Sequence, residues 1–445
     1  MNRSVVITGL GPLSSISNSA VGFWESLQAG TTSITPIDTF DASGFTCPIA
    51  GQVSESVRDW VPKSYRKATK VMARDTELAV IAAKLAADDA GLLTTGSEDS
   101  DTGFQINPQR TGCHIGAGLI AADTSEMSRA VVTATDDSGT FSTNKWGTEE
   151  TGDGGMNNLP PLWLLKYLPN MPACHVTIIH GLKGPSNTIM GAEAGALLSI
   201  IESTRVIQRD AADMCLTGGA ESRLNPLGLL RWDLAGRLAH TDGQTNADDI
   251  LKPFDPTSAG SIMGEAGGML VVEEEHHASA RSARPYARIT GYATTQSIDP
   301  VLPIFNTPDQ ESSTTDTALS RAISIALKQA GIEPSDLNAV LPLGIGQSKL
   351  DTREANALRD SLGKFAESLP IVTLSNRIGN TLSAHAGMMT AAGALMLHHQ
   401  KLPMSCKSLD GRGFFAPDPE AGLNNILICT SSLAGQCAAL VLSKV

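Results

Sequence analysis

The chain has 445 residues, 41% of them hydrophobic and only 4% aromatic, with 42 glycines and a formal net charge of −13. That length accommodates two ordinary domains or one large double domain with a sizeable core. An acidic chain without a Lys/Arg cluster lacks the electrostatic footprint of a nucleic-acid binder. No run approaches the roughly 20 apolar residues of a membrane span, so neither nucleic acid nor membrane is an expected partner and the protein reads as cytoplasmic.

The first residues, MNRSVVITGLGPL, are too short and too broken by Gly9, Gly11 and Pro12 for a signal peptide; Val5–Gly9 reads as a buried strand entering a Gly-rich turn. The stretch 74–91 has apolar residues at helical spacing and stops at Gly91, which predicts an amphipathic helix. Cys113–Ile120 reads as a strand and turn. From Ala121 to Met156 the sequence becomes polar, as expected of a surface cap. Val176–Ile179 looks strand-like, and His175 and His180 fall beside it. Ala194–Arg209 is apolar on nearly every face, hence a buried helix. Strands follow at Met214–Gly219, Gly268–Glu273 and Tyr286–Tyr292, then a helix at Thr315–Ala330, a strand at Ala339–Leu343 and a small-residue helix at Ala384–His398. Ile426–Ser431 and Cys437–Ser443 close the chain as a hairpin. This order describes an α/β protein of two similar halves, divided near 260: residues 1–260, carrying a cap at about 121–170, and residues 261–445.

The seven cysteines (47, 113, 174, 215, 406, 429, 437) stand singly, mostly in apolar runs, and predict buried free thiols rather than a disulfide framework or a metal site. The Gly-rich run GSIMGEAGG has no G-K-[ST] after it, so no phosphate loop is expected. No cofactor is implied.

Several segments carry a more specific signal. They are LPNMPACHVTIIHGLKGPSNTIMGAEAGA (168–196), MCLTGGAES (214–222), LKPFDPTSAGSIMGEAGGMLVVEEEHHASAR (251–281), the opening VVITGLGPLS and the closing GQCAALVLS. In this order they resemble the ketosynthase family of condensing enzymes over essentially the whole chain, in particular chain-elongating members and their chain-length-factor relatives. The resemblance implies a thiolase-like five-layered αβαβα double domain and a dimer in which a strand continues the sheet across the interface. The stretch before Glu193 is where that strand would lie, flanked by the apolar Trp163, Leu164, Leu165, Tyr167 and Met171.

The family needs a Cys at a helix N-terminus, where its thiol is acidified, and two His that donate to the developing oxyanion. A Lys supports the second His. Carried over motif by motif, T-A-C-x-S-G falls on Gly191–Ala196 and puts Glu193 at the nucleophile. H-G-T-x-T-x-x-x-D-x-x-E falls on LGIGQSKLDTRE, giving Leu343 for the first His while Asp351 and Glu354 match. K-S-x-x-G-H-T-L-G-A falls on SNRIGNTLSA, giving Ser375 for Lys and Asn380 for the second His. The terminal gating loop becomes Ser432–Gly435, with Leu433 at the substrate tunnel. No member of the catalytic set is retained, and each oxyanion donor is worth roughly 10² to 10³ in rate, so condensation is not expected.

Glu193 is open to three readings: a carboxylate that suits a helix N-terminus, a mimic of a bound malonyl carboxylate or a plug bonded to Asn380, or a new acid/base. His385, just over a turn past Asn380, reads as a packed helix residue. The implied role is that of a partner subunit that pairs with an active ketosynthase, or with itself, and meets an acyl carrier protein in fatty-acid or polyketide synthesis. An acidic chain would repel an acidic carrier unless a basic patch or the partner supplied the docking site. The alternatives are an acyl-transfer or hydrolytic enzyme using Glu193 as base, and a non-enzymatic acyl-chain-binding or scaffold homodimer.

Overall fold

The computed structural model describes residues 3–97, 102–147, 154–297, 313–403, 406–409 and 422–445. Nine strands form one mixed sheet: β1 (Val5–Leu13), β2 (Thr111–Ala117), β3 (Ser186–Met190), β4 (Met214–Glu221), β5 (Ala266–Glu274), β6 (Ala287–Gln296), β7 (Ala339–Leu341), β8 (Asn425–Ser431) and β9 (Gln436–Ser443). Their spatial order is β7-β8-β9-β6-β1-β5-β4-β2-β3. Seven helices frame the sheet and the site: α1 (Arg74–Asp89), α2 (Met171–His180), α3 (Gly195–Gln208), α4 (Pro226–Leu234), α5 (Thr317–Ala330), α6 (Ser348–Leu362) and α7 (His385–His399).

Hydrophobic burial sorts these elements into layers. Ala-rich α1 and one face of α2 cover one side of β1, β5 and β4 through a cluster that includes Leu78, Ile81, Val176 and Val271. A central cluster joins α3 and α7 to both halves of the sheet, with Ile7, Leu197, Ile200, Met388 and Ile426 all buried in it. A third cluster packs α5 and α6 onto β6, β8 and β9 through Leu319, Ile323, Leu358 and Val441. Helices, sheet, central helices, sheet and helices are the five expected layers. Helix α7 is buried from His385 to Leu397, being apolar nearly all round, and α3 is buried apart from the stripe carrying Glu202, Arg205 and Gln208.

The two sheet layers are continuous with each other as one nine-stranded sheet. Antiparallel pairs Val5↔Ile289, Val6↔Arg288 and Ile7↔Ala287 join β1 to β6. The boundary expected at 260 would separate β5 from β1 and β4, the strands it pairs with on either side. The short helix Glu275–Ala280 follows β5 and leads the chain toward β6. A correction concerns Val176–Ile179, which lies inside α2 and is not a strand. Its β-branched residues suggest extended chain, but Pro172 at the first turn and Gly181 in the left-handed C-cap position bound a helix. His175 and His180 are helical for the same reason. Of the cap, 121–170 apart from 148–153 outside the described residues, the helix Thr124–Thr133 is largely exposed.

Candidate functional site

Edge strand β3 runs into a sharp turn, Gly191–Ala194, from which α3 departs. Ala192 takes a left-handed φ of 45°, a conformation costly for a residue with a Cβ and typical of functional turns. The turn is pressed from below: a side chain on Gly116 of β2 would come within 2.3 Å of the Gly195 carbonyl carbon. Ser383 Oγ holds it from the side by donating to Ala192 O at 3.1 Å.

Glu193 is thereby buried, 1% exposed. It does not bond to Asn380, as the plug reading required. Its Oε1 accepts instead from Arg237 Nη2 at 2.9 Å, and its Oε2 is buried with no hydrogen-bond partner. Arg237 follows α4 and is itself buried. Its guanidinium lies 3.6 Å over the Trp232 ring, and Gln347 Nε2 donates to its carbonyl at 2.6 Å. Burial pulls the Arg237 pKa down and the Glu193 carboxylate opposes that pull.

Leu343 begins a four-residue loop whose N–H groups converge on two carboxylates of α6. Glu354 accepts from Leu343 N at 2.8 Å and Gly344 N at 2.9 Å. Asp351 accepts from Ile345 N at 3.1 Å, Gly346 N at 3.0 Å and Phe254 N at 2.9 Å. Gly344 and Gly346, at φ 47° and 76°, let the loop curl around them. Burial outweighs these donors and pushes Asp351 up to about 6 and Glu354 up to about 8. Ser375 Oγ donates to Gly344 O, fixing the same loop from the other side.

Asn380 is fully buried. Its N–H donates to Ile262 O at 2.7 Å, its O accepts from Gly264 N at 3.0 Å, and its Oδ1 accepts from Leu382 N at 3.0 Å. Its Nδ2 has no partner. His385 is packed into α7, with Nδ1 3.2 Å from Thr381 Oγ1, and burial lowers its pKa to about 4. His175 and His180 pair with Tyr65 and Thr94, each at 2.8 Å.

Glu193, Leu343 and Leu433 border one small cavity of about 20 Å³. Ser375 and Asn380 do not line it. Ser375 acts on it through the loop, and Asn380 lies three residues before Ser383, which touches the elbow. Among the described residues no group of three or more His, Cys, Asp or Glu is placed to hold a metal ion.

Residues 2–278 match the family described as beta-ketoacyl synthase, N-terminal domain, and residues 286–408 match its C-terminal domain. The chain belongs to the beta-ketoacyl synthase family. It is 28% identical over 425 residues to the 3-oxoacyl-[acyl-carrier-protein] synthase 2 of Staphylococcus aureus strain COL, covering 95% of this chain and 91% of that one. It is equally similar, 28% over 428 residues, to the synthase 2 of Synechocystis, with 95% and 91% covered. Among solved structures, the ishigamide ketosynthase/chain length factor superposes with a TM-score of 0.77 at 22% identity, covering both chains completely. A beta-ketoacyl synthase from Burkholderia phymatum gives 0.76 at 21%, again with 100% of both chains covered. These matches fix the thiolase-like ketosynthase fold, and the family places the chain in fatty-acid or polyketide biosynthesis.

Arg237 is a site residue that sequence reasoning missed, as is Arg353 on the cavity. A carboxylate at a buried elbow demands a counter-charge, but 33 Lys and Arg residues compete for that part and nothing in their spacing selects one.

Proposed function

We propose that this beta-ketoacyl synthase family member is a non-condensing partner subunit of an active ketosynthase. The observation that carries the reading is the Glu193–Arg237 ion pair, buried where the family's motif places its nucleophile. A carboxylate so paired is a poor base and a poor nucleophile, and the residues at the two histidine positions are Leu343 and Asn380. The same pairing argues against the acyl-transfer or hydrolytic alternative that uses Glu193 as base.

The partner face follows from the fold. Strand β3 ends the sheet, pairs only with β2 among the described residues, and leaves Ser186, Asn187 and Met190 exposed. Leu162, Leu164, Ile178 and Met190 are large apolar residues exposed in the segment leading into it or on it. An open strand edge with apolar flanks is an aggregation hazard unless another strand covers it. The similar ishigamide protein is a ketosynthase/chain length factor, which supports the same pairing for this chain.

The test is co-expression with an intact ketosynthase and a carrier protein, followed by size-exclusion chromatography. A stable hetero-oligomer is expected, and the isolated chain incubated with acyl- and malonyl-carrier protein is expected to acquire no acyl adduct. A covalent acyl group on the chain, or decarboxylation of the malonyl carrier by the isolated chain, overturns the reading.

A further inference from the structure

A guanidinium other than that of Arg237 borders the cavity beside Glu193. Arg353, on α6, is 5% exposed and lines this space. Its Nη1 donates to Ser313 O at 2.6 Å, but its Nη2 is buried with no partner among the described residues. Glu193 Oε2, on the same cavity, is equally without one. A buried donor and a buried acceptor, each costly when unsatisfied, thus border one space of about 20 Å³. One water needs about 10–15 Å³ and at least two polar partners; the space is large enough for one, and both residues are in its lining. The other carboxylates on the cavity are already used: Asp351 and Glu354 by the loop N–H groups, and Asp316 by Leu319 N at 3.0 Å.

We infer that position 193 is a binding site for a small carboxylate whose occupant is the chain's own side chain, gripped directly by Arg237 and, through one bridging water, by Arg353. Arg237 is held independently of its anion, its guanidinium by the Trp232 ring and its backbone carbonyl by Gln347. Its guanidinium therefore stays in place when the carboxylate is removed, and the site remains selective for a planar carboxylate, which a guanidinium matches better than it matches a spherical halide. The inference deepens the proposed function, because a site filled from within leaves no room for an acyl thioester, and it rests on that reading only for this consequence.

Chemical rescue tests it. Glu193→Ala is expected to melt below the wild type, and sodium formate at roughly 100 mM to restore at least half the loss in a saturable way. Sodium chloride at the same ionic strength is expected not to. Formate rescue is expected to vanish in Glu193→Ala/Arg237→Met and to need about tenfold more formate in Glu193→Ala/Arg353→Met. Formate acting no differently from chloride, or acting equally after loss of Arg237, overturns the inference. Should Glu193→Ala fail to fold, Glu193→Gln decides instead. Arg237→Met is expected to lower the melting temperature of the wild type and to raise that of Glu193→Gln, where the guanidinium has lost its anion. An equal loss in both backgrounds means that Arg237 merely packs on Trp232, and the inference fails. None of these readouts involves a second protein. A failed hetero-oligomer therefore leaves this inference standing, and a failed rescue leaves the partner reading standing.

Discussion

Glu193 is buried beside Arg237, and its energetics follow from that. Burying a carboxylate costs several kcal/mol, which the Arg237 guanidinium offsets only while both charges are present. Arg237→Met in the otherwise intact chain is therefore expected to cost about 3–5 kcal/mol, because it strands the carboxylate rather than removing a contact. Urea denaturation measures it, and a loss below about 1 kcal/mol would show that the pair is screened as an exposed one is. Glu193, Leu343, Ser375 and Asn380 are singled out by motif spacing alone, and of these only Glu193 and Leu343 border the cavity. Arg237 and Arg353 are not so singled out. Arg237 reaches Glu193 from 44 residues away, and such a pairing is set by how the elements pack, not by a local pattern.

The loop 343–346 and the helix α6 behave as one element. Five backbone N–H groups point at Asp351 and Glu354. Burial raises both carboxyls, Glu354 from its ordinary 4.5 to about 8. A carboxyl with a raised folded pKa binds its proton more tightly folded than unfolded. It thus contributes stability that is full below its unfolded value and is lost as pH rises through the folded one. The wild type is expected to lose stability between about pH 4.5 and pH 8 from this source, and Glu354→Gln to show a flatter profile. Thermal melts at pH 5 and pH 8 check it, and an unchanged slope in the variant places the titration elsewhere. Edge strand β3 gives a second test. Thr188 N–H donates to Asn187 Oδ1 at 2.9 Å rather than to a ladder partner, which marks it as facing the open edge. Thr188→Pro is expected to abolish cross-subunit pairing while β2–β3 pairing survives. A variant that still elutes as the wild-type oligomer puts the interface on another face. The sequence points to this segment but favours Val176–Ile179 as its strand, because β-branched residues prefer extended chain in isolation; burial of Val176 and Ile179 against α1 decides for helix.

At the scale of the whole molecule the two halves are expected to unfold together. Helix α7 belongs to the second half in sequence, yet Met388 and Met389 lie in the same buried cluster as Leu10 and Leu270 of the first. The β1–β6 pairs tie the strands of both halves into one sheet. Calorimetry is expected to give a single transition, and residues 1–283 expressed alone to remain unfolded, with the apolar surface of β5 and α3 uncovered. Two separate transitions would show that each half has a sufficient core. The sequence by itself determined the layered α/β class and most of its strands and helices, because periodicity and glycine spacing are local properties of the chain. Only the tertiary structure decided how the strands of both halves join in one sheet, which strand forms the open edge and which arginine neutralises Glu193. Sheet neighbours and buried counter-charges are chosen by packing between residues far apart in sequence, where no spacing rule reaches.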